Sequence, residues 1–231
     1  MDNYGKHMLR RAVVYKAEYL QNIVLECQAG GSPSPTIYWE KNNVRIQQGD
    51  SRDWKNDEAI IENEVNEETG GLLRLGYTKS KLYLGCVTEE DAALYTCAAK
   101  SSDKIITQEH RLKIVGDYST EENTKQCLEK RTALGDPAKI YMWTSTRVEV
   151  SGGTVQLFCR AEGAPGITYT WRDNAGNVID ETNANSDNYE VLENGDLVIK
   201  QISWDNMGIY RCTASNVFGK DTATTFVYPT N

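Results

Sequence analysis

The sequence lacks the residue patterns that catalytic and metal sites require. Of its 231 residues only two are histidines, His7 and His110, and neither belongs to an HExxH-type or Cys/His pattern. It also has no GxSxG, P-loop or GxGxxG motif. Acidic neighbours such as Glu89-Glu90 point to opposite sides of an extended chain, which is typical of solvated surface. We therefore predict no catalytic residues, no cofactor and no metal site.

Basic charge and long apolar runs are also scarce. The net charge is -8, which argues against nucleic acid and against docking on anionic lipid. No apolar run approaches the roughly 18 residues that a membrane span needs. Residues 1–7 lack the apolar core of a signal peptide, so we interpret Met1 as an expression start on a mature secreted chain. The sequence has no Asn-x-Ser/Thr sequon, no visible lipid-anchor signal and no stalk.

Six cysteines are present, and their spacing excludes the usual zinc patterns. None forms a CxxC pair or a Cys/His cluster. An even number of cysteines without metal-ligand spacing favours disulfides, which form in an oxidising compartment. We expect an extracellular protein.

An internal repeat decides the fold. Each half has a cysteine, a tryptophan twelve residues later, and a Tyr-x-Cys motif further on. In order, these residues are Cys27, Trp39, Tyr95 and Cys97 in the first half, and Cys159, Trp171, Tyr210 and Cys212 in the second. This pattern is the hallmark of the immunoglobulin sandwich, in which the two cysteines bridge the sheets, the tryptophan packs on the bridge and the tyrosine turns its hydroxyl back to the backbone.

The predicted fold is all-β, with two tandem immunoglobulin-like β-sandwich domains of I-set-like type. We place an N-terminal extension at 1–10, domain 1 at 11–116, a linker at 117–136 and domain 2 at 137–231. Alternation of apolar residues supports strands before the first cysteine and the Tyr-x-Cys motif of each half.

Domain 1 carries a long acidic insert. Fifty-eight residues separate Trp39 from Cys97, but forty-one separate Trp171 from Cys212. The extra length lies near 45–71, which is rich in Asp and Glu. In structure, the insert is interpreted as an extended loop or as extra edge strands. In function, it is interpreted either as solvated surface or as a binding loop.

Cys86 and Cys127 remain after the two core bridges. Cys86 interrupts the apolar spacing around it, so we expect it to face away from the core, and Cys127 lies in the predicted linker. A bond between them would either restrict the angle between the domains or tie down a loose segment. Intermolecular bonding is a third alternative.

Apolar residues also occupy outward positions of strands B and E. Because Leu157 is expected to point inward, its neighbour Phe158 should point outward, and the same alternation places Val198, Val24 and Tyr83 outside. These four residues are the candidate partner-binding face. The alternatives are a ligand surface, burial of the two faces against each other, and scattered exposed apolar residues.

Two further apolar residues precede Tyr210. We expect Trp204 and Met207 to cover the bottom of the second sandwich. A binding role is the alternative.

The last forty residues carry a more specific signature. It comprises 193–199 (ENGDLVI), 204–212 (WDNMGIYRC) and 214–229 (ASNVFGKDTATTFVYP). This part closely resembles the second domain of small secreted two-immunoglobulin proteins of invertebrates, which include the nematode zwei-Ig proteins and the insect imaginal morphogenesis protein late family. Asn206 departs from the aspartate usual at that corner, whereas Asp91 keeps it in domain 1.

The resemblance implies a secreted, non-enzymatic binding protein. The nematode relatives imply a role in keeping axons in position, through a neuronal cell-surface or matrix protein. The insect relatives imply binding and antagonism of insulin-like peptides. Homophilic adhesion, a third possibility, requires self-association at micromolar concentration.

Overall fold

The chain forms the two β-sandwiches that the repeat predicts. A computed structural model describes residues 12–49, 74–102, 104–116, 125, 127, 129, 135–179 and 186–231. Apart from short 3-10 turns and the helical residues 125, 127 and 129, the regular structure in these ranges is β-strand, so the all-β prediction is confirmed. Most of the predicted acidic insert, 50–71, lies outside the described residues.

Seven strands belong to domain 1 and eight to domain 2 in the described part of the chain. Those of domain 1 are β1 (Val13–Glu18), β2 (Ile23–Gly31), β3 (Thr36–Lys41), β4 (Val44–Arg45), β5 (Leu75–Leu84), β6 (Leu94–Ser101) and β7 (Lys104–Val115). Those of domain 2 are β8 (Asp136–Val150), β9 (Val155–Leu157), β10 (Cys159–Ala164), β11 (Thr168–Arg172), β12 (Tyr189–Val191), β13 (Leu197–Ile199), β14 (Gly208–Asn216) and β15 (Gly219–Thr230).

Each domain is closed by its own disulfide next to a buried tryptophan. Disulfides join Cys27 to Cys97 and Cys159 to Cys212, with Cα atoms 6.4 and 6.5 Å apart. The buried indole nitrogen of Trp39 donates to Ser80 Oγ at 3.0 Å. That of Trp171, equally buried, donates to the carbonyl of Gly195 at 2.8 Å. Each indole therefore combines apolar packing with a satisfied polar atom.

The two tyrosines before the second cysteines are buried but make different contacts. The Tyr95 hydroxyl donates to the carbonyl of Asp91 at 3.0 Å, as expected for this corner. The Tyr210 hydroxyl instead lies 3.2 Å from the Tyr189 hydroxyl and 3.4 Å from Asn206 Nδ2. Asn206 Oδ1 also accepts from the Ser203 backbone, so the asparagine keeps the turn that Asp91 makes in domain 1.

A single sheet runs through both domains. Its strand order is β11-β14-β15-β8-β5-β2, and we call it the shared sheet. Strand β8 joins the domains: it pairs in parallel with β15 of domain 2 and antiparallel with β5 of domain 1. The register with β5 runs from Leu75↔Val148 to Ser80↔Met142, with one shift after Tyr77. Backbone hydrogen bonds therefore fix the position of one domain against the other.

Side chains from domain 2 complete the core of domain 1. Tyr141, Met142 and Phe158 belong to the buried cluster that surrounds Trp39. Ala138 and Ile140, which directly precede Tyr141 and Met142 on β8, belong to the core of domain 2. Strand β8 thus contributes to two hydrophobic cores, and the core of domain 1 is completed by side chains of domain 2.

Polar groups also cross this boundary. Buried Arg147 of β8 pairs with Glu149 at 2.7 Å and donates to Ser34 of domain 1. Arg74 of domain 1 reaches the same carboxylate at 2.9 Å. Gly76 permits the approach, because a Cβ there would overlap the side chain of Ser34. The buried charges are paired across the boundary, which limits their desolvation cost.

Candidate interaction surface

The solvent face of the shared sheet is a continuous surface that both domains build. Alternation along the strands fixes which side chains point outward. On β5 these are Tyr77, Lys79, Lys81 and Tyr83, while the residues between them are mostly buried. The register then places Tyr77 beside Thr146 of β8, which in turn lies beside Phe226 of β15. A partner bound here would touch both domains at once.

Two residues of the predicted face lie on this surface. Val24 on β2 is 39% exposed and sits opposite Tyr83 on β5. The Tyr83 ring is half-buried: its hydroxyl donates to the carbonyl of Ile140 at 3.0 Å, and Lys139 Nζ lies 5.4 Å from the ring centre. Burial, followed by the nearby carboxylate of Asp221, raises the pKa of Tyr83, which stays neutral.

The other two residues are not accessible, and this corrects the expected face. Phe158 and Val198 point away from the core of domain 2, yet they are 0% and 1% exposed. Phe158 packs into the core of domain 1, so that part of the face is covered by the other domain. Beside it, Arg160 and Asp196 form a fully buried ion pair at 2.9 Å. Of the three alternatives for the predicted face, burial of one domain against the other is the one that holds for Phe158.

An apolar patch lies at the domain 2 end of the shared sheet. Trp204 and Met207 are 47% and 44% exposed, so they do not seal the bottom of the sandwich as expected. The Trp204 ring meets Tyr228 edge-on at 5.8 Å, and the Tyr228 and Phe226 rings are 6.4 Å apart. We define the apolar patch as Trp204, Met207, Ile209, Phe226 and Tyr228. Contiguous exposed apolar groups of this kind mark interaction sites.

Sequence reasoning did not include most of this patch in a binding face. The run Phe226-Val227-Tyr228 places apolar side chains on both faces of one strand, and Val227 alone is needed for the core. Ile209 adds a second apolar outward position, directly opposite Phe226. Apolar residues on both faces of one strand were the available signal.

A polar groove lies beside the patch, where β5, β8 and β15 meet. It has a volume of about 560 Å³, and its walls include Lys79, Lys81 and Trp143 from either side of the domain boundary. Lys81 Nζ lies 5.5 Å from the Trp143 ring centre and 3.8 Å from Glu26. Most of the remaining walls are serine and threonine side chains, so the groove suits a polar ligand.

The third disulfide joins Cys86 to Cys127, with Cα atoms 5.8 Å apart. Cys86 is buried but is outside the hydrophobic cluster of domain 1, and its backbone nitrogen donates to Asn22 Oδ1 at 3.0 Å. Cys127 Sγ lies 3.8 Å from the carbonyl of Leu20. The bond therefore holds Cys127 against the β1–β2 turn of domain 1. The bond lies within one chain, as the first two of the three alternatives require.

The fold and this surface define a class: an extracellular, non-enzymatic immunoglobulin-domain protein that binds other molecules. The immunoglobulin domain model matches residues 13–101 and 137–216. The chain is 32% identical to the zwei Ig domain protein zig-4 of Caenorhabditis elegans over 89% of this chain and 72% of that protein. It is 31% identical to the neural/ectodermal development factor IMP-L2 of Drosophila melanogaster, over 90% and 70%.

The chain belongs to this family of two-immunoglobulin proteins. A crystal structure of IMP-L2 matches it with a TM-score of 0.66 at 26% identity, covering 94% of this chain and 90% of that one. The predicted resemblance and the non-enzymatic class are therefore confirmed. No helix in the described ranges has the length and apolar character to cross a bilayer.

Proposed function

We propose that this protein is secreted and helps to keep axons in position by binding a neuronal cell-surface or matrix protein. The exposed apolar patch on a sheet shared by two domains carries this proposal. Similarity to the nematode zwei Ig domain proteins supports the neuronal setting. Three disulfides support an oxidising compartment.

The patch has the composition of a binding hot spot. It combines a tryptophan, a tyrosine and a phenylalanine with Met207 and Ile209, and aromatic anchors supply much of the energy of protein interfaces. It stands on regular strands fixed by backbone pairing, so little ordering cost accompanies binding. Val24 and Tyr83 extend the proposed contact surface onto domain 1.

A Phe226→Asp variant tests the site. We expect it to keep the folded structure while its binding to neuronal surfaces falls at least about tenfold, because a charge in a desolvated hot spot costs 2 kcal/mol or more. Val217→Asp is the matched control, since Val217 is 82% exposed and lies at the turn between β14 and β15. Equal binding by the parent and Phe226→Asp would reject the apolar patch as the site.

The second candidate function is binding and antagonism of insulin-like peptides. Similarity to IMP-L2 in sequence and structure favours it, together with an exposed apolar surface able to receive a small helical hormone. Calorimetric titration with a panel of insulin-like peptides separates the two candidates. Submicromolar binding of a peptide, weakened by Phe226→Asp, would support the insulin-like-peptide function. If a folded, oxidised sample gives no heat with any peptide, the neuronal function is the candidate that stands.

Homophilic adhesion is tested in the same preparation. Sedimentation equilibrium at micromolar concentration would reveal self-association, and the Phe226→Asp variant would abolish it if the apolar patch were responsible. A monomer throughout this range excludes adhesion between copies of this chain as the main function.

A further inference from the structure

Basic side chains are concentrated on the solvent face of the shared sheet. At the outward positions of β2, β5, β11, β14 and β15, the one acidic residue is Glu26. Five basic residues occupy such positions: Lys79, Lys81, Arg172, Arg211 and Lys220. Since the whole chain has a net charge of -8, this face differs in sign from the rest of the molecule. We call it the basic face.

We propose that the basic face binds a linear sulfated polysaccharide of the extracellular matrix. The basic face adjoins the apolar patch on the same sheet but consists of different residues, and it does not depend on the protein partner proposed above. The polar groove at the junction of β5, β8 and β15 lies in the middle of the face, and Lys79 and Lys81 line it.

The chemistry of the face matches a sulfated sugar chain. Arginine guanidinium groups bind planar oxyanions with paired hydrogen bonds, and lysines add point charges. Between the basic groups lie hydroxyls that can contact sugar hydroxyls, at Thr168, Thr170, Thr213, Ser215, Thr222 and Thr224. The half-buried ring of Trp143 in the groove offers an apolar surface for the C–H face of a sugar.

The acidic groups near the groove are already engaged. Glu26 lies 3.8 Å from Lys81. The two carboxylate oxygens of Asp221 accept from the backbone nitrogens of Ile140 at 2.9 Å and Thr222 at 2.8 Å. These contacts leave Lys79, Arg211 and Lys220 as the charges presented to a polyanion.

The geometry favours an extended polymer over a compact acidic protein. The sheet is broad: β11 and β2 are five strand spacings apart, or roughly 24 Å. A polymer with sulfates along its length can neutralise several of these separated charges at once. The negative charge elsewhere does not prevent this, because salt at about 0.15 M screens exposed charges beyond about 8 Å.

Isothermal titration of the full chain with a sulfated heparin oligosaccharide tests the proposal. We expect the parent to bind at physiological salt, with an affinity that falls as salt rises. The double variant Arg211→Glu with Lys220→Glu should weaken binding by about tenfold or more, since two charge-assisted contacts are lost. A separate Lys79→Gln variant removes one charge inside the groove and should weaken binding severalfold.

The matched control is Lys104→Glu with Lys113→Glu, which makes the same charge change on exposed residues of β7, outside the shared sheet. We expect it to bind like the parent, and chemically desulfated heparin to give no heat with any form. Absence of binding by the parent, equal binding of desulfated chains, or equal weakening in the control would overturn the proposal. Heparitinase treatment of cells separates this site from the protein site, because binding to a protein partner survives the treatment.

Discussion

The sulfur of Met142 in domain 2 lies 3.3 Å from the backbone nitrogen of Ile37 in domain 1, which donates a hydrogen bond to it. The contact is buried between the sheets of domain 1. A side chain from one domain therefore satisfies a backbone donor deep inside the other.

Removal of the Phe158 ring should destabilise the whole chain. We expect Phe158→Ala to lower the free energy of unfolding by about 3–5 kcal/mol, because the fully buried ring fills the core of domain 1. Urea unfolding of the oxidised protein measures this. Phe226→Ala is the control, with an expected loss of about 1 kcal/mol or less at an exposed position. Equal losses for the two variants would contradict the shared core.

His110 should make domain 1 sensitive to acid. The buried ring lies between Tyr15 and Trp39, and neither ring nitrogen has a hydrogen-bond partner among the described residues. Burial lowers the pKa of His110 below its usual value of 6.5, so the unfolded chain binds the proton first. Stability from the neutral ring is complete above pH 6.5 and decreases as the pH falls from there towards the lower folded pKa.

Thermal unfolding between pH 8 and pH 4.5 checks this prediction. His110→Leu should flatten the loss of stability below about pH 6.5. The control, His7→Leu, replaces the other histidine and should leave the parent's pH dependence in place. An unchanged profile in His110→Leu would show that the buried ring does not titrate with unfolding.

Glu162 should contribute a pH dependence of the opposite sign. Burial raises its pKa from 4.5 to about 6; nearby Asp136 adds to the shift and Lys139 opposes it. A carboxyl whose folded pKa is raised gives stability that is present below pH 4.5 and is lost as the pH rises through 6. We therefore expect Glu162→Gln to stabilise the protein at pH 7 to 8 relative to the parent, with a smaller gain at pH 4.

Calorimetry of both proteins across this pH range measures the difference. The exposed residue Glu109 provides the matched change, and Glu109→Gln should alter stability little at any pH. A gain from Glu162→Gln that is independent of pH would show that packing, and not ionisation, is responsible.

Loss of the Cys86–Cys127 bond should reduce stability without separating the domains. The bridge spans 41 residues, and replacing both cysteines with alanine should cost about 3–4 kcal/mol in the chain-entropy treatment. The pairing of β5 with β8 holds the domains independently of this bond. Small-angle scattering should therefore give an unchanged radius of gyration. An increase would show that the bond restricts the angle between the domains.

The two sandwiches were predictable because the signal for each is local. The spacing of Cys27, Trp39 and Cys97, and its repeat in the second half, reports contacts inside one domain. Alternation also gave the correct direction of Phe158, away from Leu157 and the core of domain 2. What alternation cannot report is whether another domain covers an outward residue, because that depends on contacts between distant parts of the chain.

The shared sheet was beyond sequence reasoning for the same reason. Its pairing joins Leu75 to Val148, and no turn or motif connects these segments. One indirect signal existed: three polar residues lie directly next to apolar ones, namely Gln156 on β9, Arg160 on β10 and Asp196 immediately before β13. A buried charge requires a partner, and the pair of Arg160 with Asp196 provides one.

The shared strand β8 also limits how such a gene can change. In proteins whose immunoglobulin domains are independent units, a single domain can be duplicated, deleted or moved by recombination. Here excision of domain 2 would strip β5 of β8, and excision of domain 1 would strip β8 of β5. Either change leaves an unpaired sheet edge, which is prone to aggregation. The two halves must therefore be inherited together, so the two-domain unit is the smallest part of this chain that evolution can reuse.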